Sequence, residues 1–461
     1  MTYLSQTTIT PGLKVAVIGS GIAGLGAAYG LARGGASVTV YEKDERLGGH
    51  ANTVEVDVEG TRVAVDTGFI VYNEKNYQNL VGLFDTLGVE TAASDMSFAA
   101  SFNNGKFEYA GSGPAGLLAR RRNTISPQFW SMMRDLIRFY KTAPDLLEEA
   151  AAQGQTLGTF LDERQFGETF RALHLLPMAA AIWSSPMLAM ADYPVETFMR
   201  FFCNHGLLSL GERPKWRTVK GGSRQYVDKL VAATPANITL KANVRAVVRQ
   251  QDGVCLHFED GRSEIFDHCV FATHAPDALD LLEKPLAQEL SLLSCFQTHS
   301  NEAVLHTDTQ FMPRRKRAWA SWNYIARQGA QVAQTPGALP CLTYWMNNLQ
   351  PLATSQDLFV TLNPDKPVAE AHVLRRFSYN HPAFDLAAIQ AQAQMPTIQG
   401  QGGVWYAGAW MGYGFHEDGL EAGLGVAEAM TGVSRPWGVT ASKLRVPLPL
   451  QPMPRVLGQV A

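Results

Sequence analysis

The sequence predicts an α/β protein in which a nucleotide-binding domain built on a parallel sheet is interleaved with an α+β domain that carries a helical insertion. Three observations lead to this prediction. A short apolar strand, a glycine-rich turn, a helix and a second strand follow one another within residues 14–41. Apolar residues recur at helical spacing between residues 111 and 216. Short alternating strands, separated by turn residues, then run from residue 238 to 271 and predict a small β-meander.

The length of the chain indicates two domains. Its 461 residues are too many for one ordinary core, and hydrophobic residues at 46% with charged residues at 18% are typical of a folded globular protein. We expect each domain to be assembled from separate segments. The predicted segments are 14–111, 220–278 and 404–431 for the nucleotide-binding domain, 112–219 and 279–403 for the substrate-binding domain, and 1–12 and 436–461 for the terminal tails.

Charge and cysteine usage exclude several classes of protein. A formal net charge of -3 gives no global reason to bind nucleic acid. The five cysteines are odd in number and never form a CxxC pair, which argues against a disulfide framework, an iron–sulfur cluster or any other metal site. No secretory signal precedes the first strand, and the longest uncharged run, 175–191, is short and broken by prolines. We therefore expect a cytoplasmic protein without a spanning helix.

The turn after the first strand has the spacing of a dinucleotide-binding fingerprint. Gly19, Gly21 and Gly24 lie where a tight turn, a close approach of the backbone to a diphosphate and close packing of helix on sheet each require glycine. Glu42 ends the second strand, where an acidic residue binds the ribose hydroxyls. The strand–turn–helix–strand context makes a Rossmann-type domain the favoured interpretation.

Further glycines indicate that the dinucleotide is FAD and not NAD. Gly48 and Gly49 follow the second strand directly, Gly68 offers a second close approach, and Gly408 ends a late apolar strand. The segment 418–423 opens an alanine-rich helix whose N-terminus suits an anionic reduced flavin. The predicted FAD contacts are Gly19, Gly21, Ile22, Ala23, Gly24, Glu42, Lys43, Gly48, Gly49, His50, Thr67, Gly68, Phe69, Val244, Ala272, Gly408, Gly419 and Leu420.

These segments resemble the flavin-containing amine oxidase superfamily, which also holds protoporphyrinogen oxidase and carotenoid desaturases. The resemblance rests on GSGIAGL, YEKDERLGGHANT, WRTVKGGSRQYV and WYAGAWMGYGFHEDGLEAG, and it runs from residue 15 to about 428. Within the superfamily the chain is most similar to a bacterial branch of predicted NAD/FAD-binding proteins, whose members resemble methylated fatty-acid desaturases of furan fatty-acid synthesis. The resemblance implies FAD-dependent removal of two hydrogens from a branched, unsaturated acyl chain.

One departure from the superfamily concerns the position after the double glycine, which is arginine in many amine oxidases and is His50 here. No cysteine lies within 406–423, so we expect the FAD to be bound without a covalent link. An amine or amino-acid oxidase and a flavoprotein-like binding module stay open as alternative functions. No motif places an arginine clamp for an amino-acid carboxylate.

The candidate catalytic residues are His416, His205, Tyr413 and His50, with His416 first because it immediately precedes the flavin-facing helix. For each of them a structural role is the competing interpretation. Asp418 is expected to be the N-cap of that helix. The aromatic residues Trp183, Trp322, Tyr344 and Trp345 either line an acyl tunnel or belong to an ordinary core.

An acyl substrate implies peripheral contact with an anionic membrane on the inner face of the cell membrane. The first candidate surface is formed by Arg120, Arg121 and Arg122 together with the apolar helical stripe at 129–140, whose basic companions are Arg134, Arg138 and Lys141. Residues 314–317 are the second candidate surface. A solvated basic face over a domain core is the alternative. Self-association into a homodimer is left open by the sequence.

Overall fold

A computed structural model describes residues 12–208, 214–328, 337–441 and 444–447. Residues 1–11, 442–443 and 448–461 of the predicted tails lie outside the described residues. The described part of the C-terminal tail is packed against the fold: a side chain at Gly82 would collide with Trp437, and Arg445 is 6% exposed at its side chain. This part of the predicted tail therefore belongs to the folded protein.

The nucleotide-binding domain is built on a five-stranded sheet in which all neighbours are parallel. In spatial order its strands are Asn237–Thr239, Ser37–Tyr41, Lys14–Ile18, His268–Phe271 and Val404–Tyr406. The central strand is apolar throughout its interior because it is covered on both faces, and Val15, Ala16 and Val17 are fully buried. The order confirms the predicted α/β class and brings the strands Lys14–Ile18 and Val404–Tyr406, from opposite ends of the described chain, into one sheet.

Two glycine-rich helices, Ile22–Arg33 and His416–Thr431, pack side by side on this sheet. A Cβ on Gly26 would lie 2.8 Å from Leu420, one on Gly30 would lie 2.6 Å from Ala427, and one on Gly34, which ends the first helix, would lie 2.5 Å from Thr431. These contacts ascend both helices in the same direction, so the helices are parallel and begin at the same edge of the sheet. The C-terminal return is therefore held by close backbone packing.

The predicted β-meander is confirmed as a three-stranded antiparallel sheet. Its strands are Val244–Gln250, Gly253–Phe258 and Ser263–Phe266. Gly253 has a φ of 142° at the first turn, and a side chain there would overlap the backbone oxygen of Phe266. Two smaller sheets pair Thr53–Val58 with Thr61–Asp66, and Tyr72–Asn73 and Thr91–Ser94 with Trp216–Val219.

The substrate-binding domain is built on a seven-stranded sheet. Its strands in spatial order are Val373–Ala383, Gln297–His306, Phe359–Leu362, Cys341–Trp345, Trp322–Ala326, Phe98–Phe102 and Phe107–Ala110. The last two strands fall inside the segment 14–111 that the sequence assigns to the other domain. The pairing of Phe98–Phe102 with Trp322–Ala326 corrects that boundary, because a strand joins the domain whose sheet it extends.

Helices of the insertion and of the connections complete the fold. In the insertion they are Pro114–Leu117, Pro127–Ala152, Leu157–Glu163, Glu168–Phe170, a π-turn at Arg171–Leu175, Leu176–Trp183 and Val195–Asn204. Elsewhere they are Gln78–Leu87, Arg224–Ala232, Ala275–Leu281, Ala287–Leu293, Met346–Leu349 and Leu386–Gln394. Within the described ranges, no helix has both the length and the apolar character needed to cross a bilayer.

Candidate active site

The glycine turn after the first strand leaves the N-terminus of the following helix open. Gly19 has a φ of 99°, and a Cβ there would lie 2.7 Å from the backbone oxygen of Ala272. A side chain on Gly24 would overlap the backbone oxygen of Gly19. A Cβ on Gly21, by contrast, would meet no atom within 4 Å. The open space lies in front of the helix that begins at Ile22, where backbone N–H groups suit a diphosphate.

The carboxylate of Glu42 lies beside this turn. It is 7% exposed and accepts hydrogen bonds from the backbone N–H of Ser20 at 2.9 Å and from that of Asp44 at 3.0 Å. Lys43 is exposed next to it, and Val244 lies in the nearby connection whose Ala242 N–H donates to the Glu42 carbonyl. The acid is thus fixed at the end of the second strand, where ribose binding requires it.

The double glycine runs along the same turn. Gly48 and Gly49 have φ values of 102° and 56°, which favour glycine. The Gly48 N–H donates to the carbonyl of Ser20 at 3.0 Å, and a Cβ on Gly49 would lie 3.1 Å from the Cα of Gly21. This loop therefore carries His50 to the edge of the sheet at which the first helix begins.

The third predicted segment meets the loop at the backbone of His50. The Phe69 N–H donates to the His50 carbonyl at 2.7 Å, and a side chain on Gly68 would overlap that oxygen. The hydroxyl of Thr67 lies 2.7 Å from the hydroxyl of Tyr379, which comes from the substrate-domain sheet. The loop at 48–50 and the segment 67–69, which the sequence predicts separately as FAD contacts, are therefore in direct contact. The substrate-binding domain contacts them through Tyr379.

A buried carboxylate that the sequence analysis did not assign to the site organises this region. Asp66 is fully buried and accepts hydrogen bonds from the N–H and hydroxyl of Ser223, the hydroxyl of Thr53 and the amide of Gln350. Burial raises the pKa of Asp66, and these donors oppose the rise. The Gly-Gly-Ser triplet at 221–223 is the sequence feature that could have predicted the contact between Ser223 and Asp66. Glycine is required at 222 because a side chain there would collide with Thr53.

The C-terminal helix begins at His416, with Phe415 as its N-cap residue. Asp418 is the third helical residue and accepts from the Phe415 N–H at 2.8 Å, which corrects the expectation that Asp418 itself is the N-cap. A Cβ on Gly419 would lie 3.0 Å from Ile22, so the N-termini of the two helices lie side by side. Upstream, a side chain on Gly408 would collide with the indole of Trp410.

The geometry of His416 disfavours it as the first-choice base. Its ring stacks on Phe69 with centroids 3.8 Å apart, and its Nε2 lies 2.5 Å from the hydroxyl of Tyr226. Burial lowers the pKa of His416 to about 3. A ring held between two aromatic side chains, with one nitrogen already bonded, is a positioning group rather than a proton acceptor.

His205 and Tyr413 lie in the core of the helical insertion. The His205 ring stacks on Phe201 at 3.9 Å, and its Nδ1 lies 3.0 Å from the Phe201 carbonyl at the end of the helix Val195–Asn204. The Tyr413 carbonyl accepts from the indole of Trp183 at 3.3 Å, and burial raises the pKa of the Tyr413 phenol. These contacts are those of structural residues.

His50 belongs to a cluster of imidazoles that the sequence analysis did not foresee. Its ring centroid lies 5.3 Å from that of His381, 6.3 Å from that of His274 and 5.2 Å from that of Tyr379. Burial, followed by the charges of His381 and His274, holds the pKa of His50 well below its usual range. The amide of Asn301 donates to Nδ1 of His381 and also donates to the carbonyl of residue 299, which fixes the His381 proton on Nε2. The cluster is neutral at neutral pH.

Within the described residues, these histidines do not form a metal-ligand group. The Nε2 atom of His50 is buried and has no hydrogen-bond partner in the part of the chain that the structure describes. An unpaired polar atom at the edge of the glycine turn fits a site for a polar cofactor.

The residues present fit FAD. Gly21 leaves space for a diphosphate in front of a helix N-terminus, Glu42 is placed for the ribose, and the N-terminus of the C-terminal helix reaches the same edge through Gly419. Close packing leaves no room for a side chain at Gly19, Gly24, Gly48 and Gly408. Ala272 lies against Gly19. Leu420 packs on Gly26 of the first helix.

The aromatic residues proposed for an acyl tunnel separate into different clusters. Trp183 packs with Tyr193 and the phenylalanines of the helical insertion, whereas Trp322 and Tyr344 lie edge to face with centroids 5.4 Å apart in the core beneath the seven-stranded sheet. The Trp345 indole donates to Asp357 at 2.9 Å. The four residues therefore do not line one common passage.

Comparison with known proteins extends these findings over nearly the whole chain. The family model described as flavin containing amine oxidoreductase matches residues 22–431. The carotenoid phi-ring synthase of Streptomyces griseus is 30% identical over 194 residues, which are 37% of this chain and 35% of that protein. The chain thus aligns with about a third of that curated relative.

Solved structures share the fold. Wild-type putrescine oxidase bound to putrescine superposes with a TM-score of 0.65 at 14% identity, covering 90% of this chain and 99% of that chain. The CLA-producing fatty acid isomerase from P. acnes gives 0.61 at 14% identity, covering 89% and 96%. Cyclohexylamine oxidase from Brevibacterium oxydans gives 0.61 at 17% identity, covering 91% and 99%. At these identities the likeness shows the fold alone.

Proposed function

Because the chain belongs to the flavin-containing amine oxidoreductase family, we propose that this FAD-dependent oxidoreductase desaturates an apolar lipid, namely a methyl-branched, unsaturated fatty acyl chain of a phospholipid. Loss of a hydride from the allylic carbon and of a proton from its neighbour converts such a monoene into a conjugated diene. FAD, when bound, accepts the hydride and its two electrons. The protein must supply position, dryness and an acceptor for the proton.

The observation that carries the proposal is the uncharged character of the buried imidazole cluster around His50, at the edge where the two helices begin. His50, His274 and His381 have lowered pKa values there, mainly because they are buried. Phe69 and Tyr379 complete this neutral surface. A neutral, partly aromatic lining favours an acyl chain over an ammonium ion.

The buried carboxylates of the C-terminal helix are committed elsewhere. Glu417 accepts from the N–H groups of Asn79 and Leu80 at 2.7 and 2.9 Å, where it caps the helix Gln78–Leu87. Glu421 accepts from the N–H groups of Arg445 and Val446 at 2.7 and 2.8 Å. These bonds tie the C-terminal helix to two other segments of the chain, which favours a structural role for both acids over the binding of a substrate amine.

His50 is the residue that we propose as proton acceptor. Its Nε2 is unpaired among the described residues, whereas the Nε2 of His416 is bonded to Tyr226. A depressed pKa is compatible with this role because a proton next to an allylic cation is strongly acidic, so the base need not be strong. His381, with its proton fixed on Nε2, lies beside His50 with the two ring centroids 5.3 Å apart, and it helps to keep the resting His50 neutral and able to accept a proton.

The proposal is tested by lipid mass spectrometry of source cells with and without the gene. Deletion should abolish a diene and accumulate its monoene precursor, and the wild-type gene should restore the diene. A gene carrying His50→Gln should restore it about 100-fold less efficiently, the loss expected for a general base. His372→Gln, on an exposed residue bonded to Thr307, is the matched control and should behave as wild type.

An unchanged lipid profile after deletion would contradict the proposal. The alternative that the sequence leaves open is a flavin amine or amino-acid oxidase that produces an imine and hydrogen peroxide. Rapid reduction of the flavin by primary amines, with peroxide formed in air, would establish that alternative in its place.

A further inference from the structure

Two basic clusters nearly 200 residues apart in sequence lie on the same edge of the substrate domain. Glu108 is fully buried in the edge strand Phe107–Ala110. Its backbone carbonyl accepts from the amide of Asn123 at 2.8 Å, and its carboxylate accepts from the Arg314 N–H at 2.6 Å and the Arg315 guanidinium at 2.7 Å. One buried residue therefore anchors the segments that carry residues 120–122 and 314–317.

The positive charges of the two clusters are close enough to influence each other. Burial, followed by the charges of Arg315 and Arg122, lowers the pKa of Arg120. Arg121, Arg122 and the cations at 314, 316 and 317 are exposed and form no ion pair within the described ranges. Arg315 alone is neutralised, by Glu108. The edge thus has a concentration of unpaired positive charge in a chain whose formal net charge is -3.

Exposed apolar side chains accompany this charge. Ile125 is 81% exposed and Trp130 is 53% exposed, both next to residues 120–122. The indole N–H of Trp130 donates to the Thr124 carbonyl at 2.9 Å, which holds the ring at the surface. Tryptophan and aliphatic side chains beside arginine and lysine are typical of surfaces that lie at the boundary of a bilayer.

Of the helix at 129–140, which the sequence assigns to this surface as a whole, only Trp130 near its start belongs to the face. Its apolar stripe is core, because Phe129, Met132 and Phe139 are buried. The Arg138 guanidinium lies 3.9 Å from the centroid of the Phe166 ring and donates to two backbone carbonyls of the insertion. Arg134 lies against the buried Asp135. These contacts favour the alternative interpretation, a basic face over a domain core, for the rest of this helix.

We propose that Arg120, Arg121, Arg122, Ile125 and Trp130, together with Arg314, Lys316 and Arg317, form a single docking face for an anionic phospholipid bilayer. The occupant is inferred from charge complementarity and from the exposed Ile125 and Trp130, since a nucleic-acid surface gives no reason to expose an isoleucine. This proposal rests on the proposed function in one respect, namely that the enzyme would take its acyl substrate from the bilayer. Bilayer binding itself does not require turnover.

Vesicle flotation of the FAD-containing protein tests the face separately from the reaction. The protein should float with phosphatidylglycerol-containing vesicles at low salt, remain in solution with pure phosphatidylcholine vesicles, and be released from the anionic vesicles by high salt. Each cation near an anionic surface contributes about fivefold to binding, so replacing Arg120, Arg121 and Arg122 by serine should weaken it about 100-fold. The control replaces the exposed Lys14, Arg245 and Lys284 by serine, with the same change in charge, and should bind as wild type.

Two further variants test the second basic cluster and the exposed tryptophan separately. Arg314→Ser combined with Arg317→Ser should also weaken binding, because both clusters share the face and Arg315 keeps its bond to Glu108. Trp130→Ser should weaken binding at low salt although it leaves the charge of the face unchanged. Equal binding by the triple variant and its control, or no flotation of the wild type, would overturn the face, whatever the enzyme proves to oxidise. RNA binding as tight as vesicle binding and insensitive to Trp130→Ser would overturn its assignment to lipid.

Discussion

Replacing Glu42 by alanine removes a carboxylate around which the protein has arranged three of its own donors. The N–H and hydroxyl of Ser20 lie 2.9 and 2.5 Å away, the N–H of Asp44 lies 3.0 Å away, and Glu42 is 7% exposed. A hydrogen bond to a charged group contributes about 1.5–3 kcal/mol, and a buried donor left unpaired costs about 1–3 kcal/mol. We therefore expect the FAD dissociation constant to rise about 5- to 150-fold, or about 1–3 kcal/mol. The free energy of unfolding of the apoprotein should fall by a similar amount.

Fluorescence titration of apoprotein with FAD measures the first quantity, and equilibrium denaturation of the apoprotein measures the second. Glu42→Gln keeps an oxygen acceptor and should give an intermediate result. Glu45→Ala is the matched control, because Glu45 lies three residues further on and forms only an exposed ion pair with Lys241 at 2.7 Å. An FAD dissociation constant that is the same for Glu42→Ala and Glu45→Ala would show that Glu42 does not hold the ribose.

Three further predictions follow from the site and the fold. Heat or acid should release FAD into the supernatant, since no cysteine lies within 406–423; flavin retained by the precipitate, or release of FMN, would refute non-covalent FAD. Burial, then the charge of His274, lowers the pKa of His381 from 6.5 to about 4, so the unfolded chain binds the proton more tightly. His381 should therefore contribute up to about 3 kcal/mol to the fall in the free energy of unfolding as the pH drops from about 6.5 to 4, and His381→Asn should make that fall smaller by this amount in denaturation at several pH values. Gly423→Ala forces a methyl group against the Ala23 carbonyl and should lower the free energy of unfolding by about 1–3 kcal/mol in urea, whereas Gly438→Ala, with no atom within 4 Å, should not.

The elements predicted correctly are those whose evidence is local. The strand Lys14–Ile18, its glycine turn and the helix Ile22–Arg33 are specified by neighbouring residues, and so is the meander from Val244 to Phe266. The strands at 98–110 lie inside the segment 14–111, which the sequence assigns as a whole to the nucleotide-binding domain. Only their pairing with Trp322–Ala326 decides between the two domains.

The candidate base illustrates why the site was harder to predict. His416 was favoured because it precedes the flavin-facing helix, but a position next to a helix does not reveal that Phe69 and Tyr226 enclose the ring. His274 is the N-cap residue of the helix Ala275–Leu281, His381 lies in the strand Val373–Ala383, and both meet His50 only in the folded chain. No sequence spacing relates them. The same holds for Glu108, which joins two basic clusters that the sequence could only treat separately.

Anaerobic mixing of the purified, FAD-containing protein with lipid tests the central claim most directly. A phospholipid bearing a methyl-branched monoene acyl chain should bleach the flavin absorbance, and mass spectrometry should show the product two hydrogens lighter, with a conjugated diene. Straight-chain saturated phospholipid and primary amines should leave the flavin oxidised. Bleaching by a primary amine, with no change on addition of the branched monoene lipid, would contradict the account and assign the enzyme to amine oxidation.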